Sequence, residues 1–369
     1  LSVGLLGPAL SELRDRVGTD IGGIGILFVA QWLGYVVGSV AGGRWYDRRP
    51  GHRVFAVALA LMASGLVLLP FVSSLSGLFA AFVLIGFGAA TADVGGNTLL
   101  MWQLGAAGGR AVNLLHLCFG IGALSAPLLV SAGSTVAAIT GAVLALCVAG
   151  WVVTIPSPEV STVDREDHAT TSRPQLALMA TFFLLYVGLE VGFGGWIHTY
   201  AEEIDLGAAG ATWLTTTFWI GFTSGRVLSS AIARRIRPRS VLATSCGLTI
   251  ATALALIVGN GRPVAVWVGT ALIGMSMAPL FPVMLVYLER RIRVTGSATA
   301  WFVGAAGVGG LIFPWLIGRW FDASGAATLP WSMLVLAVAT AISFAATDRR
   351  LARRAGAGQD APSASSVSI

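Results

Sequence analysis

Apolar runs close to twenty residues long recur from one end of this chain to the other, with spans read near 1–14, 20–43, 54–75, 78–102, 110–132, 135–155, 175–200, 208–232, 239–259, 263–287, 296–318 and 327–347. A helix of about 20 apolar residues crosses about 30 Å of hydrocarbon, so the pattern specifies an all-α membrane protein. Composition agrees: 56% of residues are hydrophobic and 11% charged, where soluble chains carry about 25% charged residues. The 47 glycines suit helices that must approach closely. Cys118, Cys147 and Cys246 each lie inside an apolar run, which reads as unpaired buried thiols; no disulfide framework or metal-binding spacing is present.

A net charge of +6 would suit a nucleic-acid partner, but the arginines are distributed as in a membrane protein. Arg44, Arg48, Arg49, Arg53, Arg110, Arg234, Arg235, Arg237, Arg239, Arg290, Arg291, Arg293 and the run from Arg349 to Arg354 fall on one side of the twelve-span topology. The other side holds only Arg14, Arg16, Arg262 and Arg319. The positive-inside rule then places both ends in the cytoplasm, for a chain multi-pass in a bacterial inner membrane. The first span opens at Leu1 and is short, which reads as a helix lacking its first turns.

The chain repeats itself. Gly34 and Gly38 align with Gly221 and Gly225, and with the same offset Gly120, Gly122 and Pro127 align with Gly307, Gly309 and Pro314. Residues 1–155 and 175–347 are thus expected as two six-helix halves, joined by a polar cytoplasmic linker at 156–174 and followed by a disordered tail at 348–369. Two such halves are the plan of a secondary transporter, with its substrate site near the bilayer midplane between them. No nucleotide-binding loop, zinc-protease motif or nucleophile elbow occurs, so gradient-driven transport is favoured over ATP-driven transport or catalysis, and no cofactor is expected.

Asp93 and Asn97 lie in the middle of the fourth span at i, i+4, hence on one helix face. A carboxylate in hydrocarbon is costly and is kept where it serves an ion or substrate pathway. With no basic residue in the membrane interior of the first half, Asp93 suits proton coupling; with Asn97 and backbone carbonyls it also suits a sodium ion. Asn113 and His116 share a face of span five, and Glu190 places a second acid in span seven. Gln31, Trp32, Asn97, Asn113 and His116 together offer the amides and flat aromatic face that a sugar site uses. Trp196, His198 and Tyr200 lie toward the outer end of span seven, Tyr200 as a membrane anchor. The loop from Gly43 through Asp47 and Arg48 to Arg53 is similar to the major facilitator signature with one inserted residue, and reads as a conformational latch. Arg226, a structural group that snorkels or pairs with a helix end, is placed with that latch.

These residues resemble the fucose/glucose/galactose symporter family of the major facilitator superfamily, including its sodium-dependent glucose transporter-like branch. The likeness rests on Asp93-x-x-x-Asn97, on Asn113-Leu-Leu-His116 with Phe119-Gly120-x-Gly122, and on Tyr186-Val-Gly-x-Glu190 with Trp196. Gly225-Arg226, Phe281-Pro282 and Gly309-Gly310 with Pro314, Gly318 and Asp322 continue it. The resemblance implies a major facilitator fold and, at Asp93, the position of that family's protonated acid. The place of the fucose permease's first-span acid is Gly4, so no second acid is implied in the first half. The expected function is import of a monosaccharide, glucose or a related hexose, by proton symport. Asp93 and Glu190 would be coupling groups, Gln31, Trp32, Asn97, Asn113, His116, Glu190 and Trp196 binding groups, and Gly43, Asp47, Arg48 and Arg226 the latch. Sodium coupling and proton-driven export of a drug or metabolite are the alternatives. The expected partners are a small sugar and the lipid bilayer, with no nucleic acid, and a monomer suffices. A sugar sensor would need an output domain, which the tail does not offer.

Overall fold

In hydrocarbon a backbone must satisfy its own hydrogen bonds, and a chain this apolar does so as helix. The structure, a computed structural model, describes all residues except 105–107, 159–172, 233–234, 260–261, 293–295 and 360–369, and among the described residues there is no strand. The helices are α1 Ser2–Val17, α2 Ile21–Ile24, α3 Ile26–Tyr46, α4 Gly51–Leu68, α5 Leu75–Leu104, α6 Gly108–Ser131 and α7 Ser134–Val152. The second half holds α8 Arg173–Glu203, α9 Gly207–Ile232, α10 Pro238–Gly259, α11 Pro263–Met277, α12 Leu280–Glu289, α13 Gly296–Ser324 and α14 Thr328–Gln359. Eight stretches are long and apolar enough to cross a membrane, and the last of these, Trp301–Arg353, contains two helices, parts of α13 and α14. The remaining long helices, α1, α6 and α9, pack among them.

Two expected spans are broken. Span two starts as α2, whose first turn is capped by the Asp20 carboxylate accepting from the Gly23 N–H, and resumes as α3 after Gly25. Span ten divides into α11 and α12 around Ala278 and Pro279, where proline cannot continue the hydrogen-bond ladder. Residues 348–359, expected to be disordered, continue α14 as helix, with Leu351 packed into the core. Arginine and alanine are strong helix formers, so a helix already nucleated in the membrane runs on through them. Most of the expected linker, 159–172, lies outside the described residues.

The sequence repeat has a packing cause. Side chains at Gly34 and Gly38 of α3 would run into the Val83 and Phe87 carbonyls of α5. Their mates, Gly221 and Gly225 of α9, meet the Ala271 and Met275 carbonyls of α11 in the same way. Each half thus has a matching glycine-lined contact where two backbones nearly touch. The halves also meet by a repeated device: Gly120 of α6 faces Thr223 of α9, and Gly307 of α13 faces Val36 of α3. One offset of 187 residues relates both partners. The two seams between the halves are therefore pseudo-symmetric copies.

A testable consequence concerns the backbone contacts. Gly34→Val and Gly221→Val force a side chain against a neighbouring carbonyl, whereas Gly247→Val opens into free space. Overpacking costs about 1–3 kcal/mol, so the first two variants should melt at lower temperature in detergent while Gly247→Val melts with the parent. Equal melting of all three would contradict the close approach.

Candidate functional site

Polar groups inside a helix bundle must find partners, and Asp93 on α5 finds two among the described residues. The Tyr35 hydroxyl, from α3, donates to Asp93 Oδ2 at 2.6 Å. Asn97, one turn on, donates through Nδ2 to the Asp93 carbonyl at 2.9 Å and to Oδ1 at 3.3 Å. Both side chains therefore offer hydrogens to the carboxylate. Tyr35 packs against Trp32, ring centroids 5.1 Å apart, and the Trp32 indole lies over Gly310 of α13, in the other half. The aspartate itself is exposed in the protein alone.

Across the midplane, Glu190 on α8 is half-buried and close enough to act electrostatically on the hydroxyls of Tyr35 and Tyr186. Arg226 of α9 lies by the same Tyr186 and Glu190. Its guanidinium stands 4.7 Å from the Phe222 ring centroid and 6.0 Å from that of Phe119 on α6, within cation–π range. The structure thus sets a line of polar groups across the two halves: Asn97, Asp93 and Tyr35 from one, Glu190, Tyr186 and Arg226 from the other. Arg226, placed with the latch on sequence, belongs by its neighbours to this line. Tyr35 and Tyr186 were not singled out as site residues. The available signal was that tyrosines are few, five in the chain, and that these two sit mid-span.

The other candidates divide. Trp32 adjoins the line. Gln31 is buried and donates to the Ser2 carbonyl of α1 at 3.2 Å. Trp196 is wholly buried, its indole N–H donating to the Pro314 carbonyl at 2.7 Å and its ring packed between Phe28 and Phe321. The side chains of Asn113 and His116 lie outside the described residues. Asp47 and Arg48 are exposed and, among the described residues, make no side-chain hydrogen bond or ion pair.

The halves interlock at the end opposite the arginine-rich loops. There Ser11 of α1 donates to Glu202 of α8, with His198 Nδ1 3.7 Å from the same carboxylate. A side chain at Gly7 would meet the Gly195 backbone, and the Gly22 N–H donates to Asp322 Oδ2 of α13 at 2.8 Å. Trp196, beside Gly25 and Gly318, fills the space between. This end is closed.

The chain matches the Major Facilitator Superfamily over residues 1–314. It is 24% identical to the sodium-dependent glucose transporter 1A of Mus musculus over 364 residues, which cover 86% of each chain. It is 26% identical to the sodium-dependent glucose transporter 1 of Homo sapiens, covering 86% of this chain and 70% of that one. Among solved structures it is similar to the nucleoside transporter NupG (TM-score 0.71, 16% identity, 94% and 95% coverage). It is also similar to the inward-open xylose transporter XylE from E. coli (TM-score 0.73, 13% identity, 92% and 91% coverage). At those identities the structural likeness establishes the fold.

The closed end can be tested by cross-linking. In a background with Cys118, Cys147 and Cys246 replaced, the pair Ser11→Cys and Glu202→Cys should be joined by a short bis-methanethiosulfonate, which forms a disulfide with each thiol. Transport should fall at least tenfold and return when a thiol reductant cleaves those disulfides. A pair that never cross-links would place these helix ends apart.

Proposed function

This chain belongs to the major facilitator superfamily, and on that footing we propose that it imports a monosaccharide, glucose or a related hexose, by proton symport with alternating access. It is a multi-pass membrane transporter rather than an enzyme. The positive-inside rule supports a cytoplasmic placement for the arginine-rich loops and both termini, in a bacterial inner membrane. On that orientation the end joined by Ser11–Glu202 and Gly22–Asp322 faces outward. The sugar reading draws on the glucose transporters to which the chain is similar and on the acids, amide and indole that gather between the halves.

The observation that carries proton coupling is the set of partners around Asp93. Tyr35 and Asn97 hold its carboxylate by hydrogen bonds while the side chain stays exposed between the halves, and an acid at this depth in a membrane helix is the kind of group a proton relay uses. A sodium ion needs several oxygens converging on one point, which the Asp93 carboxylate, the Asn97 amide and backbone carbonyls would have to supply. In this reading the proton taken by Asp93 loosens Tyr35, and Asn97, Glu190 and Trp32 face the sugar, with Asn113, His116, Gln31 and Trp196 as further candidates. Asp47 and Arg48 would engage when the cytoplasmic end closes. Sodium coupling through the same acid is the second reading, favoured by the description of the relatives as sodium-dependent.

Asp93→Asn keeps the size and the hydrogen-bonding reach of the side chain but cannot titrate. In proteoliposomes it should abolish accumulation of labelled glucose against a gradient, by at least tenfold, while retaining sugar exchange across the membrane. Full accumulation by the variant would sink the proposed role.

A further inference from the structure

Three side chains on one face of α9 hold polar atoms that are buried and lack a hydrogen-bond partner among the described residues: Trp219 Nε1, Thr223 Oγ1 and Arg226 Nε. Their spacing, i, i+4 and i+7, makes them one stripe. The Tyr186 hydroxyl on α8 borders this stripe, within reach of Glu190 and Arg226. Buried polar groups in folded proteins are nearly always satisfied, so three on one stripe call for an explanation.

Packing alone does not supply it. Subtracting the 187-residue offset from 219, 223 and 226 gives Trp32, Val36 and Ser39 on α3. Val36 faces Gly307 as Thr223 faces Gly120, so this seam is formed equally well by a side chain without a hydroxyl. Ser39 satisfies itself by donating to the Val36 carbonyl at 2.9 Å. The second half therefore keeps hydroxyl and guanidinium groups at positions where its mate keeps an apolar or self-satisfied side chain. Trp219 is 5% exposed, with Phe119 of α6 edge-on to it at 6.4 Å between centroids.

We infer that Trp219, Thr223, Arg226 and Tyr186 form a donor wall of the substrate site, taking the oxygen acceptors of a polyhydroxylated ring while Asp93 and Asn97 engage its other side. This deepens the sugar reading and rests on it. Indole and guanidinium N–H groups donate and cannot accept, whereas an ionised carboxylate only accepts. A ring whose hydroxyls both donate and accept satisfies both walls. A cationic drug would meet an arginine on this wall, which weighs against export of that class.

The test uses the full chain in proteoliposomes and glucose exchange as the readout. Thr223→Val reproduces the side chain of the pseudo-symmetric position and should raise the half-saturating glucose concentration at least fivefold with little change in maximal rate. Thr223→Ser, which keeps the hydroxyl, should restore it, and Tyr186→Phe should act as Thr223→Val does. In a panel of singly deoxygenated glucoses, one analogue should bind the parent weakly yet lose nothing further in Thr223→Val. Variants that fold, judged by a single sharp elution peak, and that exchange glucose with the parent's half-saturation would overturn the donor wall and leave the sugar reading standing. Equal losses in Thr223→Val and Thr223→Ser would also overturn it, because packing would then be at work. A parent protein that exchanges no hexose would overturn the sugar reading and this wall together.

Discussion

The short hydrogen bond from Tyr35 to Asp93 is the interaction on which the site turns. An acid in the hydrocarbon layer is costly, and this one takes hydrogen bonds from the Tyr35 hydroxyl and the Asn97 amide. The same tyrosine packs on Trp32, and Trp32 lies over a glycine of the opposite half. The charge on Asp93 is thus two contacts away from the seam along which the halves meet.

Those seams are thin by construction. Gly120 and Gly307, related by the internal repeat, admit Thr223 and Val36 from the opposite half. Glycine contacts hold each half together as well, at Gly34, Gly38, Gly221 and Gly225. Within a half, backbones meet directly at these glycines. At the closed end Gly7 meets the Gly195 backbone, Trp196 packs between Phe28 and Phe321, and the Ser11–Glu202 and Gly22–Asp322 hydrogen bonds bridge the halves. Alternating access requires the contacts at that end to part while those within each half persist.

Much of this was legible in the residues. Asp93 and Asn97 at i, i+4 pointed to a shared face, and Asn97 does bond to Asp93. The glycine mates announced the repeat, and Pro279 explains the break in span ten. What was not legible was which neighbour each polar side chain meets. A helix in lipid is apolar on its outer face as well as its inner one, so periodicity does not mark the face that looks into the site. Tyr35 is 58 residues from Asp93, and nothing in its own span advertises the partner. Arg226 looked like a snorkelling end group but lies near Glu190, and Trp196 looked like a ring for stacking but bonds to the Pro314 carbonyl at the closed end. Residues 348–359, the described part of the expected tail, differ for another reason: their arginines and alanines read as unstructured composition, while their helix propensity extends α14.

The most direct test of the account is the initial rate of labelled glucose uptake by the unaltered protein in proteoliposomes, under an imposed pH gradient and, separately, under a sodium gradient at fixed pH. The account predicts that an inward proton gradient accelerates uptake several-fold and that sodium alone does not. Acceleration by sodium at constant pH, with no response to the proton gradient, would contradict proton coupling at Asp93; no glucose uptake under either would contradict the substrate.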